Sequence, residues 1–267
     1  MPKPLFRWTV GCCLQQGLDI LAESINRTTK SLGIDNWDWL ICYNGLTKEN
    51  VEFLKKAIGT RPIGMFAQNW TDCPVDDNMQ SPRRFDGSYE WDGRKCGGTM
   101  WKACPPRVRQ EAHEIVMDND IILLKKFPQI DEFLAQKDHA LILEEPIRFY
   151  GRYDHLFPPG KDGPFLNSGF MGFPPGYDYA AAIRKVWEDN GRFTSISQAD
   201  EQALLTYTLN GLPSVRVKKS QMYEFLAKDY AGKITGHEEG IHFTQGNRIP
   251  NHRGWLQYQK LHERSVI

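Results

Sequence analysis

An α/β fold is predicted by three features of the sequence. Apolar runs rich in β-formers alternate with segments of helical spacing over residues 6–69. The alternation of strand-like and helix-like segments resumes at residue 114. A strand-like run there, EIVMDNDIIL (114–123), breaks in its middle at two carboxylates. Alternating strands and helices build a sheet flanked by helices.

FRWTVGCCL (6–14) reads as a first strand, apolar on both faces. LDILAESINRTTKSL (18–32) sets Leu18, Leu21, Ile25 and Leu32 near helical spacing, and Gly33 is a stop signal. WDWLICYNG (37–45), KENVEFLKKAIG (48–59) and RPIGMFAQN (61–69) continue as strand, helix and strand, the alternation of a parallel sheet. From 70 to 98 the pattern gives way to Asp, Pro, Gly, Arg and aromatics, a long loop expected to be functional or mobile. TMWKACPPRV (99–108) predicts a short helix ended by Pro105-Pro106.

After the 114–123 stretch come a helix (127–136), a strand (139–146), an aromatic loop (147–163) and a strand of small residues (164–176). Helices at 177–190 and 198–211 and a strand at 212–220 precede a polar, glycine-rich tail at 240–255. No repeat or low-complexity linker interrupts the chain, so one domain over 1–267 is expected.

Lys plus Arg and Asp plus Glu number 33 each in 267 residues. The net charge of +0 advertises no nucleic-acid or membrane surface, though it leaves a nucleic-acid acceptor open. No apolar run reaches a spanning length, and the N-terminal apolar stretch is too short for a secretory signal. The six cysteines form no CxxC pair and no zinc pattern, so a reduced, cytoplasmic protein is expected.

The interrupted strand carries the chemistry. In a parallel α/β sheet ligands bind beyond the carboxyl ends of the strands, where Asp118-Asn119-Asp120 would sit. Two carboxylates two residues apart project the same way in extended backbone, and repel unless a cation separates them. Hard oxygen ligands suit Mg²⁺ or Mn²⁺, with coordination positions left for a diphosphate. The alternative is an Asp-rich turn that merely ends a strand.

MDNDIIL, preceded by TMWKACPPRV and followed by FPQIDEFL, resembles the DxD region of GT-A glycosyltransferases, in particular the glycogenin-like and bacterial galactosyltransferase-like families. FLNSGFMGF (165–173) resembles their FNSG strand, SQADEQALL (197–205) their DQDALN helix start, and HFTQG (242–246) their HFxxG element. The four elements stand in the families' order across about residues 99–255. The resemblance implies a Rossmann-like GT-A domain with a mixed sheet, residues 1–125 forming a nucleotide-binding half and 126–267 an acceptor and sugar half. It implies a metal-dependent hexosyl- or pentosyltransferase that moves sugar from a nucleotide-diphosphate sugar, UDP favoured, to an acceptor hydroxyl on a glycan or other molecule, with retention.

Residue by residue, the resemblance makes Asp118, Asp120 and His242 the metal ligands for Mn²⁺ or Mg²⁺. Asp118 would alternatively hold the ribose. Lys102 takes the place of an arginine that meets the donor phosphates, with Arg107 a competitor. Asn167, Ser168 and Gly169 would lie beside the donor sugar. Asp200 would contact the sugar, with Glu201 the weaker catalytic candidate; both also suit a helix N-terminus. His237 and His252 are expected at the surface. Trp70, Tyr89, Trp91, Phe149, Tyr150 and Tyr153 are loop aromatics able to form stacking platforms.

Two other classes fit paired carboxylates. A nucleotidyltransferase or sugar-phosphate hydrolase would carry a glycine-rich phosphate loop, which VGCCLQQGLDI lacks. A non-catalytic sugar- or nucleotide-binding module has no need of the full set Asp118, Asp120 and His242.

Overall fold

The computed structural model describes residues 2–11, 13–68, 90–91, 94–95, 102–103, 106–145, 147–158, 165–191, 198–225, 233–235, 237–244, 246 and 250–263. Strand β1 (Leu5–Val10) is buried along its whole length, as its unbroken apolar run requires. Helix α1 (Gln15–Leu32) lays Leu18, Leu21 and Ile25 on the sheet and stops where Gly33 takes φ 82°, backbone that a side chain would strain. Strand β2 (Asp38–Tyr43) follows. Helix α2 (Lys48–Ile58) opens with a reciprocal cap between Thr47 and Asn50, and strand β3 (Ile63–Ala67) ends the first alternation. Phe6, Trp8, Trp37 and Trp39 pack as one aromatic cluster, with Trp8 stacked on Trp39 at 5.5 Å.

Two-residue strands β4 (Glu90–Trp91) and β5 (Arg94–Lys95) pair antiparallel inside the segment expected as loop; the rest of 70–98 lies outside the described residues. Strands β6 (Glu114–Asp118) and β7 (Ile121–Leu123) come next, then helix α3 (Pro128–Ala135) and strand β8 (Ala140–Glu145). Strand β9 (Phe165–Phe173), helices α4 (Tyr179–Asp189) and α5 (Gln198–Asn210) and strand β10 (Ser214–Val217) agree with expectation. The remainder departs from it: strand β11 (Met222–Glu224) follows β10, and the stretch read as a polar tail holds strand β12 (Gly240–His242) and the start of helix α6 (Arg253–Glu263).

The main sheet has the order β10-β8-β9-β6-β1-β2-β3. Its strands run parallel except β9, which is antiparallel to both β6 and β8. The sheet is therefore mixed, flanked by helices. β7 leaves it for a second, three-stranded sheet of order β11-β12-β7. This answers why the apolar run is interrupted: Asn119 and Asp120 form the corner at which the chain passes from one sheet to the other. Trp8 donates to Ser24 Oγ at 3.0 Å, and Ser24 donates to the Ile121 carbonyl at 2.6 Å, which ties α1 to that corner.

One ion pair is wholly buried in the main sheet. Arg7 Nε on β1 meets Glu114 Oε1 on β6 at 2.7 Å, with both side chains inaccessible. Glu114 also accepts from the backbone N–H groups of Val108 and Arg109, and Arg7 Nη2 donates to the carbonyls of Pro106 (3.0 Å) and Lys102 (3.5 Å). The pair thereby anchors the segment that carries Lys102 against the sheet. These partners for Nε and Nη2 and for both Glu114 oxygens make the buried charges tolerable, although Arg7 Nη1 has no hydrogen-bond partner among the described residues.

Candidate functional site

Backbone register assembles the site. Asp118 ends β6 at the carboxyl edge of the main sheet, and Asp120 follows in the corner. β12 runs antiparallel to β7 with His242 opposite Ile121, and Phe243 N–H donates to the Asp120 carbonyl at 2.8 Å. β11 pairs with β12 so that Glu224 stands beside His242. One potential ligand atom from each of Asp118, Asp120 and His242 lies within 4.8 Å of the others. His242 Nε2 is 3.6 Å from Asp120 Oδ1, and its Nδ1 is 4.0 Å from Glu224 Oε1. Two carboxylates and an imidazole, with a further carboxylate facing the second ring nitrogen, form a donor set that fits a divalent cation.

The charge balance agrees with that fit. Asp118, Asp120, Glu145, Glu201 and Glu224 gather around Lys102 and His242. Burial works against the protonated His242 ring, but Asp120, Glu224 and Asp118 raise its pKa to about 9. Burial, reinforced by Glu224, pushes Glu145 up to about 8. A cation among these groups would favour the ionised carboxylates and the neutral imidazole, the forms that ligate a metal.

Lys102 lies inside this cluster rather than on a solvated helix. Its Nζ reaches Asp118 Oδ2 at 3.0 Å, Ser168 Oγ at 3.1 Å and Glu201 Oε1 at 3.2 Å. Burial disfavours its charge, yet Asp118 and Glu201 more than offset this and hold its pKa above the ordinary lysine value. Burial in turn pushes Glu201 up to about 7, with Lys102 opposing.

Asn167, Ser168 and Gly169 come to the site on β9. The pairing of β8 with β9 shifts register between Ile142 opposite Met171 and Leu143 opposite Asn167, so these small residues sit in a bulge. Asn167 donates to Glu145 through Nδ2 and accepts from Gly169 N–H through Oδ1. A Cβ on Gly169 would come within 2.8 Å of Asn167 Oδ1 and 3.2 Å of Asp118 Oδ2. Gly169→Ala is therefore expected to displace both side chains and lower any turnover by roughly 100-fold, the scale of an ångström-sized misplacement. Steady-state rates beside a melting curve check this, since a folded variant with unchanged activity would contradict it.

The two acids that open α5 part company. Asp200 Oδ2 meets Arg152 Nη2 at 2.8 Å, and its Oδ1 accepts from Arg152 N–H at 2.6 Å. Gly151, at φ 54°, makes room for it: a Cβ there would meet Asp200 Oδ1 at 2.3 Å. Glu201 instead faces Lys102 and Ser168, beside Asp118.

Other expectations are corrected. Arg107, the competitor for phosphate, gives its guanidinium to the carbonyls of Pro174, Tyr177, Arg109 and Ala112. His252, expected at the surface, is 2 % exposed between the rings of Phe225 and Phe243. Tyr150 and Tyr153 are core residues, Tyr150 stacking on Phe157 at 3.7 Å, whereas Phe149 is exposed. Trp70, Tyr89 and the Trp91 side chain lie outside the described residues. Sequence reasoning missed Glu145 and Glu224. Glu145 had a usable signal, an acid at the carboxyl end of a predicted strand; Glu224 lies in a strand too short to recognise.

A cavity of about 160 Å³ lies beside His242, lined by Leu143, Asn167, Met222, Tyr223 and Glu224 among others. Among the described residues, no helix is long and apolar enough to cross a membrane.

No protein-family model matches the chain, and no curated protein sequence matches it significantly. Solved structures do. The galactosyltransferase LgtC, in complex with donor and acceptor sugar analogues, superposes with a TM-score of 0.61 at 8 % identity, covering 98 % of this chain and 96 % of its own. Mouse xyloside xylosyltransferase 1 gives 0.55 at 12 % identity, covering 92 % and 99 %. The glycosyltransferase GlyE of Streptococcus pneumoniae TIGR4 gives 0.51 at 10 % identity, covering 100 % and 65 %. The fold is that of GT-A glycosyltransferases.

Proposed function

We propose that this GT-A-fold chain is a metal-dependent glycosyltransferase that moves a hexose or pentose from a nucleotide-diphosphate sugar to an acceptor hydroxyl. The observation that carries the reading is the Asp118–Asp120–His242 ligand group at the carboxyl edge of the sheet. UDP is the favoured nucleotide and retention the favoured outcome, both by the motif resemblance.

Asp118, Asp120 and His242 would hold Mn²⁺ or Mg²⁺. When bound, such an ion supplies Lewis-acid stabilisation of the departing diphosphate. Lys102 adds a fixed ammonium beside Asp118, placed to meet a phosphate oxygen. Ser168 and Glu201 hold that ammonium in place from the other side. Asn167 and Ser168 on the β9 bulge would receive the sugar, and Asp200, held by Arg152, would accept from one of its hydroxyls. The cavity beside His242 is the place proposed for the hydroxyl-bearing acceptor. With retention, no protein base need stand opposite the leaving group. A cytoplasmic location is part of the proposal, and the free thiols of buried Cys13 and Cys42 are in keeping with it.

Thermal melting with UDP, GDP, CDP and ADP, each with and without Mn²⁺, tests the donor site. One diphosphate is expected to raise Tm only when Mn²⁺ is present. No nucleotide-dependent shift with any metal would overturn the assignment.

A further inference from the structure

We propose that Gln68 reads the nucleobase of the donor: its carboxamide is a two-point receptor for the hydrogen-bonding edge of a base laid across the ends of β1, β2 and β3. The inference rests on the nucleoside-diphosphate reading above and adds the residue that recognises the base. Gln68 directly follows β3. Its N–H donates to the Tyr43 carbonyl at 2.8 Å, and its own carbonyl accepts from Asn44 Nδ2 at 3.4 Å, which fixes it at the carboxyl end of β2 as well.

β3 is an edge strand on which Gly64, Phe66 and Ala67 are exposed, yet Gln68 is only 8 % exposed. Both polar atoms of its side chain, Oε1 and Nε2, are buried with no hydrogen-bond partner among the described residues. A buried amide with donor and acceptor both unsatisfied is rare and destabilising. A nucleobase edge seated against this carboxamide would complete both atoms.

The complement of a carboxamide is a planar edge with a donor and an acceptor side by side. Nucleobases present such edges, and glutamine pairs with them in a bidentate manner. A phosphate offers acceptors alone and would leave Oε1 facing like charge. The position agrees. Strand order reverses between β1 and β6, the switch point at which open α/β sheets bind ligands. From Asp118 at the end of β6 to the end of β3 there are three strand spacings, about 14 Å. A base, ribose and diphosphate laid across the strand ends bridge that span, with the phosphates at the metal ligands.

Calorimetric titration of the full chain with UDP, GDP, CDP, ADP and inorganic pyrophosphate, each with Mn²⁺, tests the assignment in wild type and Gln68→Met. The methionine keeps the length of the side chain and removes both unsatisfied atoms. The ligand-free variant is therefore expected to melt at or above the wild-type temperature. Its affinity for the preferred nucleotide is expected to fall at least tenfold, while pyrophosphate binding stays unchanged. Equal nucleotide affinity in variant and wild type would overturn the role of Gln68 and leave the donor site standing. Equal loss of nucleotide and pyrophosphate would also overturn it, since the effect would not depend on the base. Failure of wild type to bind any nucleotide with Mn²⁺ would remove the inference together with the functional reading.

Discussion

Asp120→Asn is expected to abolish Mn²⁺-dependent nucleotide binding and to lower turnover by on the order of 1,000-fold. Asp120 is 6 % exposed, shares the ligand group with Asp118 and His242, and sits at a corner fixed from both sides by backbone pairing. Asparagine keeps the shape and the backbone hydrogen bond to Phe243, so the corner survives while the anionic ligand is lost. The effect should appear as a loss of metal affinity at an unchanged fold. Titration of Mn²⁺ in the presence of nucleotide, beside a circular dichroism spectrum, separates the two. Wild-type metal affinity in the variant would remove Asp120 from the ligand set.

Lys102→Met is expected to be the most destabilising single change at the site. The ammonium is the one cationic side chain between Asp118 and Glu201 among the described residues, and the Lys102 and Glu201 side chains are 8 % and 3 % exposed. Removing it leaves an uncompensated buried carboxylate, a change that costs about 3–5 kcal/mol. For a chain of this size that corresponds to a fall in Tm of roughly 10 °C. The double variant Lys102→Met with Glu201→Gln removes the stranded charge and should recover more than half of the loss, which a double-mutant cycle reads directly. If the single and double variants melt together, the Lys102–Glu201 pair is not what holds the site. Lys102→Arg keeps the charge and is expected to retain most of the stability.

Much of this was legible because long runs carry period and short ones do not. Leu5–Val10, Gln15–Leu32 and Asp38–Tyr43 show their strand or helix character over several residues, and each appears where it was expected, although the strand read over 6–14 already ends at Val10. β7, β11 and β12 have three residues each, too few to display alternation, and they build the second sheet that brings His242 to Asp120. The reversed direction of β9 was equally hidden, because the apolar pattern of a buried strand is the same in either orientation.

That Asp118, Asp120 and His242 come together was readable from residue types at characteristic positions, since all three are named by motifs. Their surroundings were not. Asp200 and Glu201 are neighbours in sequence, and a helix turns by about 100° from one to the next, so their partners depend on helix phase. In the fold one faces Arg152 and the other faces Lys102. Arg107 and Lys102 are both cations ahead of β6, and only tertiary packing separates them. The first supports backbone carbonyls, the second stands among the carboxylates.

The most direct measurement is the release of free nucleoside diphosphate from a panel of nucleotide sugars, led by UDP-glucose, UDP-galactose and UDP-xylose, with Mn²⁺ and a mixture of simple glycoside acceptors. Release is expected from one donor, stopped by chelation of the metal, restored when Mn²⁺ is added back, and absent in Asp120→Asn. Release that persists under chelation and in Asp120→Asn, or the lack of any release or nucleotide binding across the panel, would contradict a metal-dependent transferase built on Asp118, Asp120 and His242.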